Sequence, residues 1–309
     1  MDLKQLKYFA RIVELESITA AAQSLFVAQP SLSQHVANLE AELGVKLLNR
    51  GAHGARATTP GELLYQYAKT ILRQVEEATV AVKQQAHDPA GHVTLGLPTS
   101  TSRIVAVELL RGLTERHRQV SLEIVEGSSA ELADQISRQR LDLTVAVDVQ
   151  DNARFDIYPL LTEELLLVGA GGLPASVPVP LERVCELPMV LPSFPNSVRV
   201  RMERACTERG LRYQVIAETS AASVMAGVAR AGLAWTILPW SALNAEDHAG
   251  LQCLAIEGRP LTRTLSLCVS KAAASSTACA AVSQALTELV RRKVADGSWL
   301  HVALEPGRR

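Results

Sequence analysis

Gln29, Ser31, Ser33 and Gln34 crowd into one short stretch, VAQPSLSQHVANLE, Val27 to Glu40. A glutamine amide offers an acceptor and a donor side by side, and a serine hydroxyl can donate or accept. None of the four titrates near neutral pH, so their chemistry is recognition by hydrogen bonding rather than catalysis. Further along, VKLLNRGAHGARATT carries Arg50, His53 and Arg56 between glycines, a basic and turn-rich segment suited to oxyanions. Taken singly, each of these residues is an ordinary solvated side chain. Their grouping asks which elements hold them.

The first ninety residues read as helices. Leu6, Phe9 and Ile12 or Val13 repeat with helical period across Leu3 to Leu15. Ser17 is placed to cap a short helix from Ile18 to Phe26, whose alanines 20 to 22 allow a second helix to approach closely, as in a tight helix-turn-helix. In the opening stretch Leu32, Val36, Leu39 and Leu43 share one inward face. Pro30 suits a first helical turn, where its missing N–H has no partner to lose, and Gly44 ends the helix by accepting positive φ. The polar residues are therefore left on the outer, N-terminal part of a helix. Val45, Leu47 and Leu48 precede what reads as a short hairpin or wing bearing Arg50, His53 and Arg56. From Gly61 to Gln85, Leu64, Ala68, Ile71, Val75, Ala78 and Val82 are spaced alternately four and three apart, a heptad seam. Such a seam fits pairing with a second copy; it also fits packing of the helix on its own domain.

Composition bounds the rest. A chain of 309 residues with 48% hydrophobic content suggests two domains, at roughly 150 residues each. Charges at Asp2, Lys4, Lys7, Arg11 and Glu14 break any secretory core, and the most apolar run, residues 165 to 181, is interrupted by glycine and proline. A membrane role is not expected, and the chain reads as cytoplasmic. The net charge is −1, and residues 1 to 59 carry six basic against five acidic groups. Any nucleic-acid contact must rest on placed rather than abundant charge. The five cysteines never form C-x-x-C, so neither a zinc site nor a disulfide framework is expected. They read as reduced core residues, with Cys206 a candidate lone redox sensor.

These features together resemble the winged helix-turn-helix of LysR-type transcriptional regulators. The resemblance rests on LKYFARIVE (6 to 14), SITAAAQSLFVAQPSLSQHVANLEAELGVKLLNR (17 to 50) and TTPGELLYQYA (58 to 68). Glu16, Leu48 and Pro60 depart from the usual glycine, phenylalanine and acidic residue, positions that concern turn shape and packing. LKYF, VAQPSLSQ and TILRQVEEA are similar to the nitrogen-assimilation control branch. The resemblance implies double-stranded DNA as partner, at an approximate palindrome, bound by a homodimer that pairs as a dimer of dimers. RNA polymerase is a further expected partner. A helix enters the major groove by its N-terminal residues, so Gln29, Pro30, Ser31, Ser33 and Gln34 are the expected base-reading end. Arg50, His53 and Arg56 would meet phosphates.

After HDPAG (87 to 91) strands and helices alternate. VTLGL (93 to 97), VSLEIV (120 to 125) and LTVAV (143 to 147) read as buried strands. The helices between them lie near 102 to 117 and 129 to 140. ELLLVGA (164 to 170), MVLPS (189 to 193), YQVIAE (213 to 218), LAWTILP (233 to 239) and TLSLCVS (264 to 270) continue the series, and a helix from about 277 to 294 closes it. Alternation predicts a parallel sheet flanked by helices. The resemblance implies two subdomains like those of periplasmic solute-binding proteins. The expected fold is thus α/β: an N-terminal winged helix-turn-helix (1–59), a long linker helix (60–87), and a periplasmic-binding-protein-like effector domain (91–309). Its subdomain I comprises 91–162 and 264–309, and subdomain II comprises 163–263.

Ligands in open α/β sheets bind beyond the carboxyl ends of strands. Three such ends are rich in hydroxyls and precede helices: PTSTS, GSS and PSFPNSVR. Thr99, Ser100, Thr101, Ser128 and Ser129, faced by Asn196, Ser197 and Thr219, would suit a small anionic effector. Each is equally an ordinary helix cap. Arg199 and Arg201 could neutralise an acid, but residues two apart on a helix cannot both face inward. No phosphate-binding loop, H-E-x-x-H or nucleophile elbow is present, and the seven histidines are scattered, so no catalytic residue, metal site or cofactor is expected and the chain does not read as an enzyme. The competing readings are a regulator of the nitrogen-control type that needs no ligand, and a solute-binding protein without a DNA role, which would leave the first ninety residues unexplained.

Overall fold

The computed structural model describes residues 1–51, 54–83, 88–174, 178–258 and 261–306, with backbone alone at 73, 76, 77 and 80–83. The chain divides into two compact units, Met1–His87 and Asp88–Arg309.

In the first unit α1 spans Leu3–Leu15, α2 Ile18–Ser24 and α3 Gln29–Leu43; the hairpin β1 (Leu48–Gly51) and β2 (Gly54–Ala57) follows, then α4, Thr59–Lys83. Asp2 starts α1 by a reciprocal capping box with Gln5, and Ser17 caps α2 through the Ala20 N–H. α2 stops two residues before the expected Phe26, because the chain there turns left-handed. Pro30 is the second residue of α3, and Gly44 closes it at φ 69°. Phe9, Ile12, Ala21, Leu32, Val36 and Leu39 are fully buried in one cluster, so the small alanine face and the leucine stripe meet. At Gly54 the backbone adopts φ 113° and a Cβ would lie 2.3 Å from the Glu16 carbonyl. The same carbonyl accepts the Ala55 N–H at 2.8 Å, which seats the wing against the end of α1.

Glu40, which the pattern did not single out, joins α3 to the wing. It is 5% exposed and accepts the Leu47 and Leu48 N–H groups at 2.9 and 3.2 Å and the Lys46 ammonium at 3.1 Å. Burial pushes its pKa up, but the bonds from Leu47, Lys46 and Leu48 outweigh burial and leave it below its ordinary value.

The heptad seam of α4 divides. Ala68 is fully buried against Leu6 and Ala10 of α1, with Leu64 and Ile71 packed beside it. Ala68 is thus taken up by intradomain core, while Leu64 and Ile71 are half-buried at its edge. Val75 and Ala78 are exposed, and the Val82 side chain lies outside the described residues.

The second unit continues with β3 (Gly91–Pro98), α5 (Thr99–Arg116), β4 (Val120–Gly127), α6 (Ser129–Ser137), β5 (Leu143–Val147) and β6 (Phe155–Gly169). Then come α7 (Leu181–Cys185), β7 (Pro188–Leu191), α8 (Ser197–Thr207), β8 (Gln214–Glu218), α9 (Ala222–Arg230) and β9 (Thr236–Pro239). The chain ends with α10 (Ala245–Gly250), β10 (Gln252–Leu254), β11 (Thr262–Ser270), α11 (Thr277–Ala295) and β12 (Val302–Leu304).

The main sheet has the order β10-β6-β11-β5-β3-β4, with β9 and β12 also paired to β6. It is mixed rather than parallel. β3 pairs in parallel with β4 and β5, while β11 runs antiparallel to both β5 and β6. The alternation rule applies to strands joined by a helical crossover; β6 follows β5 without one. β6 pairs over Phe155–Glu164 with β11, then over Leu165–Val168 with β9. The one long strand thus leaves a core built on Leu95, Val145, Leu161 and Val282 for a second built on Leu165, Met189, Met202 and Ile237. β11 brings the chain back. β4, expected buried, is an edge strand with Ser121 and Glu123 exposed.

Candidate DNA-reading face and effector cleft

Gln29, Pro30, Ser31 and Gln34 are exposed on the first turns of α3 and Ser33 is half-buried beside them. Their hydrogen bonds stay on the helix: Gln29 Nε2 donates to Ser33 Oγ at 3.2 Å and Gln34 Nε2 to Asn38 Oδ1 at 2.8 Å. Both are exposed bonds between residues four apart, so a base edge can replace them at little net cost. The residue before the helix, Ala28, supplies no side-chain cap, which leaves first-turn N–H groups open to an oxyanion. Arg50 stands on β1 with its guanidinium 3.8 Å from Glu40, and Arg56 on β2 lies 3.4 Å from Glu16. The two wing cations are therefore already loosely paired. His53 lies outside the described residues.

In the second unit an open cleft of about 1330 Å³ is walled by the N-terminal turns of α5, α6 and α8. Thr99, Ser100, Ser128, Ser129, Asn196 and Ser197 line it, as expected. Thr101 and Thr219 do not. Successive helical residues point about 100° apart, so Thr101 turns inward; it is 1% exposed and its hydroxyl finds no partner among the described residues. Thr219 follows β8, donating its N–H to the Leu191 carbonyl at 3.1 Å, and Ser220 lines the cleft in its place.

The walls differ in what they leave free. Ser128 caps α6 in a reciprocal box with Glu131, and Asn196 caps α8 through the Val198 N–H at 2.9 Å. These side chains have their bonds already. α5 starts after Pro98 with no side-chain cap. Arg201 lines the cleft, bound to Asp148, whose other contact is the Thr264 N–H. Arg199 points away, its guanidinium over the rings of Phe194 and Tyr213 at 5.1 and 5.4 Å, so the two arginines separate as their spacing requires.

Sequence reasoning missed Arg263 and Glu163. They are register partners on β11 and β6, where the chain passes between the two cores. Glu163 is fully buried and takes Arg263 Nε and Nη2 at 2.9 and 2.6 Å, Ser241 Oγ at 2.5 Å and the Trp299 indole N–H at 3.2 Å. Arg263 also donates to Ser100 Oγ at 3.0 Å, at the cleft wall. A charged pair inside the apolar run of two strands carries no periodic signal; only the pairing register reveals it. Cys206 is 2% exposed, 3.3 Å from Cys185 Sγ, and burial pushes its thiol up to about 12, which removes it as an exposed lone sensor. Among the described residues no group of three or more His, Cys, Asp or Glu is placed to hold a metal, and no helix is long and apolar enough to cross a membrane.

A winged helix-turn-helix in one unit and a two-core α/β cleft in the other define a DNA-binding regulator with an effector domain. The chain belongs to the LysR family: residues 3–62 match the bacterial regulatory helix-turn-helix protein, lysR family, and residues 86–291 match the LysR substrate binding domain. It is similar to the nitrogen assimilation regulatory protein nac of Klebsiella aerogenes, 35% identical over 94% of this chain and 96% of that one. The nac protein of Escherichia coli strain K12 is 32% identical over 87% and 88%. A single-site variant of full-length OxyR from Pseudomonas aeruginosa shares the fold at a TM-score of 0.71 with 21% identity, covering 94% of this chain and 95% of that one. Full-length CbnR, solved with its target DNA, does so at 0.64 with 20% identity, covering 94% and 99%. The chain is a transcriptional regulator of this family, and the family's members are regulators rather than enzymes.

Proposed function

We propose that this regulator reads DNA through Gln29, Ser31, Ser33 and Gln34 at the start of α3, with Pro30 shaping the turn. The observation that carries the reading is a polar helix face whose bonds are all local and exposed, backed by fully buried Leu32, Val36 and Leu39. Arg50, Arg56 and the wing's His53 would meet phosphates once their acidic neighbours release them. The protein acts in the cytoplasm as a dimer, and Val75 and Ala78, exposed on the second half of α4, are available to a second copy. Such a dimer sets two α3 helices on half-sites about 34 Å apart, or a multiple of that, and pairs further into a tetramer. The functional division follows residues 1–59, 60–87 and 91–309, the last with subdomains meeting at 162/163 and 263/264. Footprinting on DNA beside the gene is expected to give a protected, roughly dyad-symmetric site; unpatterned protection would contradict the reading.

For the cleft the favoured reading is a small anionic effector held at the first turn of α5, by Thr99, Ser100 and the open N–H groups, with Ser128, Ser129, Asn196 and Ser197 shaping the space. α5 is favoured because it starts uncapped with Thr99 and Ser100 at the cleft, whereas α9, also uncapped, presents Ala222 and Met225 there. A second reading, a regulator needing no ligand, draws support from a specific observation: Arg201 and Arg263 each already hold an acid, Asp148 and Glu163. A thermal-shift screen of small carboxylates and amides separates the two, since a ligand of the folded state raises its stability. No shift across a broad panel favours the ligand-free reading.

A further inference from the structure

Phe26 breaks two local rules at once. The end of α2 is a Schellman motif: the Phe26 N–H bonds to the Gln23 carbonyl at 3.2 Å and the Val27 N–H to the Ala22 carbonyl at 3.0 Å. Phe26 holds the left-handed position of that motif, φ 55°, which glycine or asparagine fills without strain. The residue is also 96% exposed, more than any other large hydrophobic among the described residues. Val27, the next residue, supplies the apolar contact that such a motif needs, since it packs against the first unit's core together with Leu25. The fold therefore draws nothing from the ring. A bulky, strained and wholly solvated side chain points to a role outside the fold. Its position narrows that role, because α3 begins three residues later at Gln29 and presents its polar face from its first turn.

We propose that Phe26 is a DNA-contact residue, laying its ring against the apolar sugar edge or a thymine methyl of the duplex where α3 enters the groove. This rests on the reading of α3 as the base-reading helix. The contact adds an uncharged component to binding in a domain whose charges nearly cancel.

The test compares full-length wild type with Phe26→Gly and Phe26→Asn, using duplexes selected from a random pool by the wild type, and with Gln34→Ala as control. Both Phe26 variants are expected to melt a few degrees higher, the strain being relieved, yet to bind about tenfold more weakly. The salt dependence of binding is expected to keep its slope, since no phosphate contact is lost. Equal affinity overturns the proposal, as does weaker binding accompanied by a lower melting temperature, which would make Phe26 a structural residue. A change in oligomeric state with affinity per assembled protein unaltered also overturns it, in favour of a protein partner. If Phe26→Gly binds normally while Gln34→Ala loses preference, only this inference fails; if Gln34→Ala is also unchanged, the reading of α3 fails with it.

Discussion

The polar face of α3 and the polar wall of the cleft are made of similar residue types, serines with amide side chains, yet they stand in opposite states. On α3 the bonds of Gln29 and Gln34 are exposed and local, backed by apolar burial. In the cleft Ser128 and Asn196 cap the starts of α6 and α8, and the arginines are bound to Asp148 and Glu163. The bonds of the first surface are exposed and exchangeable; the second is largely self-satisfied, and what it leaves open are the uncapped starts of α5 and α9. Residue type alone does not separate the two conditions. What separates them is whether a backbone group of the same chain already uses the side chain.

Perturbations sharpen that contrast. The largest effect is expected from Arg263→Ala, which takes its cation away from the buried Glu163 carboxyl, at about 3–5 kcal/mol. Urea unfolding followed by tryptophan fluorescence, all three tryptophans lying in the second unit, should show the lower midpoint. An unchanged midpoint would mean that the pair contributes little to the second unit.

Glu40→Ala comes next, at about 2 kcal/mol, because two buried backbone N–H groups of the wing lose their acceptor. The sign of its pH dependence is set. The Glu40 pKa in the folded protein lies below its ordinary 4.5, so its stabilisation is present above that value and is lost as pH falls through the folded pKa. Acid melts of wild type and Glu40→Ala should converge at low pH; parallel curves would contradict this.

Arg50→Ala should weaken all duplexes alike and lower the salt slope by up to about one, less if the Glu40 pairing persists on DNA. The smallest effect is reserved for Ser128→Ala. It should cost about 1 kcal/mol as a lost cap and leave any carboxylate-induced thermal shift in place. A variant that abolishes the shift would move the anion site from α5 to α6.

Legibility followed the same division. α1, α3 and α11 could be read within a residue or two, because a buried stripe of period 3.6 is written in consecutive residues such as Leu32, Val36 and Leu39. The first half of β6 was not read: FDIYPLLTE contains Pro159, Asp156 and Glu163, which look like loop, and pairing with β11 on one side overrides that. β10 and β12, three residues each, are too short to carry a pattern. Nor could the seam of α4 say what it faced, since α1 and a second copy ask for the same spacing, and the fold assigns Leu64 and Ala68 to α1. In the cleft six of eight expected residues line the space, because strand ends before helices are visible in sequence. Thr101 failed on helical phase and Arg263 on register, both quantities that need the assembled sheet.

Competition binding of Gln34→Ala tests the central claim, that a few placed contacts on α3 rather than bulk charge select the DNA. The expected result is a loss of roughly 1–3 kcal/mol in preference for the selected duplex over a scrambled one, with nonspecific affinity and melting temperature kept. An unchanged preference would remove Gln34 from base reading and contradict that claim.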